Sequence, residues 1–265
     1  MTAELIGLPG GRWRCPDTGL VLVPAARTRL WRVFNKRYGS PLNPPMRSGE
    51  ADKSWGRFDV TGHATLYGAA EPRAAYVESL AYAELRTDAL ALHKIFPDLD
   101  ENDDPVAADW NTMFHMSPGH VPAEWREARR LAEVVLENDD YCVDLGEAEN
   151  LGVLRRFVRD WSPTRYCSNR IDLSDLLGSG RQLTCAAAAW LATRKLANGS
   201  RPRGLRYLSK HGANLACWAV WVPVKHGEGI EQAVRRYAWR GVTLPVDAND
   251  RQLIWAANQL GLKVW

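Results

Sequence analysis

The chain has 265 residues, 46% hydrophobic and 25% charged, with a formal net charge of +3. That is apolar material enough for a full core, and the composition is neither disordered nor fibrous. So slight a positive charge makes no case for nucleic acid, and there is no zinc-finger spacing or helix-turn-helix pattern, so no direct nucleic-acid contact is expected. Residues 1–26 read as an N-terminal extension, with Gly10-Gly11 and Pro16 as turn signals. Gly39 to Glu50, with Pro41, Pro44, Pro45 and Gly49, is turn-rich, either a plain surface loop or a lid. Ala64 to Gly68 is a short apolar run bounded by glycines and predicts a buried strand carrying Tyr67. Glu71-Pro72 then opens a helix, since proline suits the first helical position and no breaker follows from Arg73 to Arg86. Asp88 to His120 is an insertion whose acidic run from Asp98 to Pro105 reads as a solvated loop. Ala123 to Leu136 is expected to be an amphipathic helix, Tyr141 to Leu145 a strand, Asn150 to Asp160 a second helix and Leu183 to Ala197 a third. Residues 226–265 form a C-terminal α/β appendage: a helix near Ile230 to Trp239, a strand near Val242 to Val246, and a helix from Asp250 to Leu260 capped by Asn249 or Asp250.

Chemistry concentrates between Arg57 and Glu78, where a cation, an aromatic ring and a carboxylate are strung across a strand, a turn and a helix. Glu78 has Ala74, Ala75, Ala81 and Tyr82 three and four positions away, so it belongs to the apolar face of its helix. A carboxylate there is costly without partners or a task. Taken singly, Glu78 could be an ordinary surface glutamate or pair with Arg73 or Arg86, Tyr67 could be core packing and Arg57 a strand-edge ion pair. Glu84, off the alanine face, is assigned to solvent. The cysteines at 15, 142, 167, 185 and 217 are scattered and read as reduced thiols. His63, His93, His115, His120, His211 and His226 share no spacing, so no metal is expected. Met1 to Gly11 has no secretory pattern, and the longest later apolar run, Leu215 to Val224, is too short for a bilayer, so the expectation is a soluble, cytoplasmic protein without membrane contact.

Arg57-Phe58, Leu66-Tyr67-Gly68-Ala69 and Glu78 together resemble the central block of the RES domain, a family of bacterial toxins named for an Arg, a Glu and a Ser. Leu30-Trp31-Arg32-Val33 resembles its opening strand. Gly204-Leu205-Arg206-Tyr207-Leu208-Ser209 resembles the late strand with its serine, and Asn214 to Val220 the closing one. Gln182-Leu183-Thr184 fits the start of the alanine-rich helix. The blocks run in order from about Leu30 to Val220. The resemblance implies an α+β, mixed-sheet ADP-ribosyltransferase-like RES domain over 27–225, with an insertion at 88–122, flanking helices and terminal extensions.

It further implies NAD⁺ as substrate and an Xre-type antitoxin as partner. Glu78 would be the chemical residue, stabilising an oxocarbenium-like ribose as nicotinamide leaves. Arg32 and Arg57 would hold the pyrophosphate, Tyr67 would pack on the nicotinamide or its ribose, and Ser209 would give a hydroxyl to the cofactor or to Glu78. The function implied is cleavage of NAD⁺ by hydrolysis or phosphorolysis. ADP-ribosylation of a protein is the alternative within chemistry, and a silent nucleotide- or partner-binding module is the alternative outside it. Two positions depart from the family pattern. Asp59-Val60 stands where many members have Asn-Pro, which is expected to bring a negative charge to the phosphate site, and Val33 stands where some carry tyrosine.

Overall fold

The computed structural model describes residues 4–81, 119–163 and 171–264. In chain order the elements are β1 (Ile6–Leu8), β2 (Arg12–Arg14), β3 (Val21–Pro24), β4 (Arg29–Asn35), β5 (His63–Ala69), α1 (Pro72–Leu80), β6 (His120–Val121), α2 (Ala123–Glu127), β7 (Arg129–Leu136) and β8 (Tyr141–Asp144). There follow α3 (Ala148–Arg156), α4 (Val158–Trp161), α5 (Leu173–Leu177), α6 (Arg181–Thr193), β9 (Gly204–Ser209), β10 (Gly212–Pro223), α7 (Ile230–Val234), β11 (Ala238–Pro245), α8 (Arg251–Gln259) and β12 (Lys263–Val264). The acidic insertion and Glu84 lie outside the described residues, apart from the end of the insertion at β6.

Ten strands make one mixed sheet in the order β1-β2-β3-β8-β9-β10-β5-β4-β7-β11, in which β8 and β9 run parallel. Both terminal segments join this sheet, β1 to β3 at one edge and β11 at the other. The α+β class with a mixed sheet is therefore the observed architecture. Side chains alternate across β10: Cys217, Ala219 and Trp221 enter the larger core beneath α1 and α6, whereas Trp218, Val220 and Val222 enter a smaller core on the opposite face. A strand buried on both faces reads as a continuous apolar run, and Leu215 to Val222 does.

The same physics explains the main departure from expectation. Ala123 to Leu136 is not one helix: five residues are helical, and Arg129–Leu136 is strand β7, between β4 and β11. Its last six residues are all buried, so both faces of the run are covered although one of the six is Glu133, and a spacing that mimics a helical stripe arises from a doubly covered strand. The helix read over Asn150 to Asp160 is two, broken at Phe157. The helix read from Ile230 stops at Val234, and its last residues, Ala238 and Trp239, begin β11 instead.

Two features of the sheet shape the site. Strands β4 and β5 share one pair, Trp31 opposite Ala69, and then part. Gly68 permits that crossing, since a Cβ there would lie 2.9 Å from the Leu30 Cβ. Helix α1 lies over the parting, lowered onto the sheet by Ala74 and Ala75. It is braced from outside by α8. The buried Tyr76 hydroxyl donates to Asp250 Oδ2 (2.8 Å), while Oδ1 of the same carboxylate caps α8 by accepting from the Gln252 amide (2.8 Å). Arg73 adds a cation–π contact over Trp255 at 5.0 Å. Tyr76→Phe is expected to cost about 1.5 kcal/mol and to lower Tm by a few degrees in a thermal melt. An unchanged melt would show that the bond adds nothing to stability.

Candidate active site

Where β4 leaves β5, a cavity of about 280 Å³ opens beneath α1, and Arg32, Arg57, Tyr67 and Glu78 all line it. Ser209, at the end of β9, does not line it and stands behind Glu78. Its buried hydroxyl donates to Glu78 Oε1 at 2.6 Å and accepts from the His211 amide at 3.1 Å. Of the two roles open to it, the serine is engaged with the carboxylate. Among the described residues Glu78 Oε2 has no hydrogen-bond partner. One oxygen is thus held and the other is available to a ligand.

The two arginines reach the cavity from different segments. Arg32 donates from Nη1 to the Tyr67 carbonyl (2.9 Å), an acceptor on the β5 edge that faces the departing β4. Burial pulls its pKa down to about 10, with Tyr67 and Asp59 acting in the opposite direction, so the group stays cationic at neutral pH. Arg57 lies 5.9 Å from the Phe58 ring centroid and 5.7 Å from that of Tyr207. In both arginines Nε is buried without a hydrogen-bond partner. Each such N–H costs about 1–3 kcal/mol. Two guanidinium side chains lining one cavity suit a phosphate-bearing ligand.

Tyr67 is fixed at its far end. The hydroxyl donates to Asp59 Oδ1 and accepts from the Phe58 amide, each at 2.8 Å, so the ring is what the tyrosine offers to a ligand. Burial first, and then Asp59, push its pKa well above the usual value, and it stays neutral. Asp59 does not line the cavity. Its carboxylate is 2% exposed, pairs with Arg47 at 3.0 Å and accepts from the Gly56 amide at 2.8 Å. Side chains bind the peptides of this loop one after another. Arg181 Nε donates to the Trp55 carbonyl (2.9 Å), Cys185 Sγ to that of Gly56 (3.4 Å) and Trp221 Nε1 to that of Phe58 (2.8 Å). Arg57 therefore projects from a preorganised loop. Gly56 is required where it stands, because a Cβ would come within 2.5 Å of the Tyr67 hydroxyl.

Sequence reasoning missed Arg181, Tyr207 and Cys217, which also line the cavity. A signal existed for Tyr207: two residues before Ser209 on a strand, it must share that face. Cys217 follows from it, as the residue opposite Tyr207 on β10. Arg181 sits beside the Gln182-Leu183-Thr184 block, but nothing in its spacing aims it at the site. Among the described residues no three metal-ligating side chains gather, and no helix is long and apolar enough to cross a membrane.

The RES domain model matches residues 29–240, from the first residue of β4 into β11. No curated protein and no solved structure matches the chain. With an arginine on β4 and a glutamate on α1 lining one cavity, and a serine closing β9 bonded to that glutamate from behind, all within that span, the chain belongs to the RES domain family.

Proposed function

We propose that the protein consumes NAD⁺ by breaking the bond between nicotinamide and ribose. RES domains are known from toxin–antitoxin systems and from NAD⁺ use. The observation that carries the proposal to this chain is that Glu78, with one carboxylate oxygen left free by Ser209, lines one cavity together with the guanidinium side chains Arg32 and Arg57. At about 280 Å³ the cavity is near the lower bound for a ligand site. It suits the nicotinamide riboside end and the pyrophosphate, with the adenosine running out across its mouth.

In this scheme Arg32 and Arg57 bind the pyrophosphate and the Tyr67 ring packs on the nicotinamide riboside. The carbon–nitrogen bond breaks with its electron pair going to the pyridine ring, so nicotinamide leaves neutral and needs no general acid. Glu78 stabilises the positive charge that builds on the ribose. Water then supplies the new C–O bond and releases one proton, giving ADP-ribose, or phosphate supplies it and gives ADP-ribose 1-phosphate. An Xre-type antitoxin is the proposed neutralising partner. Ser209→Ala, which frees Glu78 to change rotamer, is expected to lower kcat about tenfold with KM nearly unchanged. A larger effect on KM would make Ser209 a substrate ligand instead.

The test is nicotinamide release by the purified protein, with and without phosphate, beside Glu78→Gln. Release that depends on Glu78 supports the proposal, and the phosphate dependence chooses the acceptor. NAD⁺ binding without release would overturn it in favour of a silent module. Label transferred from NAD⁺ to a macromolecule would make the enzyme a protein ADP-ribosyltransferase.

A further inference from the structure

The cavity floor has a pattern of its own. Trp31 is opposite Ala69, Ala69 is opposite Cys217 and Cys217 is opposite Tyr207, so these four side chains stand in one row across β4, β5, β10 and β9. All four line the cavity. Neighbouring strands are about 4.8 Å apart, so the two large rings stand on backbones roughly 14 Å apart, with only a methyl and a thiol between them. The result is a low, apolar shelf with an aromatic ring at each end. Ala75 of α1 also lines the cavity, so the roof over the shelf includes a small side chain too. The shelf carries no charge, because burial, reinforced by Glu78, pushes the Cys217 thiol well above its usual pKa.

Tyr207 contributes more than a wall. Its ring is held edge-on to Phe58, with centroids 4.9 Å apart. Its hydroxyl has no hydrogen-bond partner among the described residues, although the residue is only 4% exposed. A tyrosine hydroxyl that keeps accessible surface in a residue lining a cavity can donate to a ligand there. Burial first, then Cys217 and Glu78, keep this one protonated, so it is a donor in search of an acceptor. We infer that the Ala69–Cys217 shelf between Trp31 and Tyr207 seats the planar aromatic carboxamide that leaves in the reaction, with the Tyr207 hydroxyl donating to its carbonyl oxygen. This inference rests on the proposed cleavage of NAD⁺, and makes Tyr207 and Cys217 specificity-determining residues for it.

The two products separate the shelf from the rest of the site, so each is titrated alone. Nicotinamide binding is followed by saturation-transfer NMR and ADP-ribose binding by calorimetry, on wild type, Cys217→Leu and Tyr207→Phe. Leucine at 217 fills the shelf and is expected to weaken nicotinamide by about tenfold or more, as a steric misfit in a closed apolar site does. Tyr207→Phe keeps the shape, loses the donor and is expected to weaken nicotinamide about fivefold. ADP-ribose affinity should stay within about twofold in both variants, which also certifies that they are folded. Nicotinamide affinity unchanged in both variants would overturn the inference. So would a selective loss of ADP-ribose binding, which would put the adenine on the shelf. Wild type that binds ADP-ribose but not nicotinamide would overturn the shelf and leave the proposed function standing. Wild type that binds neither product would remove both.

Discussion

Glu78→Gln is expected to lower kcat for nicotinamide release by about 10³-fold or more, with NAD⁺ affinity changed by less than about threefold. The argument is one of charge alone. Glutamine matches glutamate in shape, and its amide oxygen can still accept from the Ser209 hydroxyl that now donates to Oε1. The packing of α1 through Ala74, Tyr76, Val77 and Leu80 does not involve position 78. Under the proposed cleavage, what is lost is the negative charge beside a ribose that turns cationic only as the bond breaks, so the penalty falls on the transition state and hardly on the bound substrate. Steady-state kinetics on a variant with an unchanged melting temperature is the measurement. A modest fall in kcat with a large rise in KM would make Glu78 a binding residue and leave the chemistry to another group.

Much of this site was legible in the sequence because each key residue is fixed by local structure. Tyr67 ends an apolar run between glycines, and Glu78 lies on a helix opened by Glu71-Pro72 and faces inward with the alanines. What was illegible depends on contacts remote in sequence. Position 129 to 136 is a strand because β4 and β11 flank it, and no window of that segment contains either neighbour. The shelf is of the same kind, a row drawn from residues 31, 69, 217 and 207 that exists only once the strand order is known. Asp59 shows a third limit. Its position in the chain suggested a place by the phosphates, whereas Arg47, from the turn-rich segment before it, holds it inward together with the Gly56 amide and the Tyr67 hydroxyl. That segment is accordingly tied to the site from below, through Arg47 to Asp59 and through the Arg47 carbonyl to the Gly62 amide (3.0 Å).

Asp59→Ala is the substitution expected to cost most in stability, about 3–5 kcal/mol. One carboxylate, 2% exposed, accepts from the Arg47 guanidinium, the Gly56 amide and the Tyr67 hydroxyl. Alanine leaves all three donors without their acceptor, and the part-buried Arg47 without its counter-charge. The damage should also be directed, since Tyr67 and the loop carrying Arg57 share this anchor. Asp59→Asn separates the two effects: its carbonyl can still accept from one donor, but the charge that balances Arg47 is gone. Chemical denaturation should rank wild type above Asn above Ala, and kinetics on the folded Asn variant should show a raised KM from the loosened Tyr67 ring and Arg57 loop. If Asp59→Ala proves as stable as wild type, the network does not hold the loop, and the preorganisation of Arg57 must come from Arg181, Cys185 and Trp221 alone.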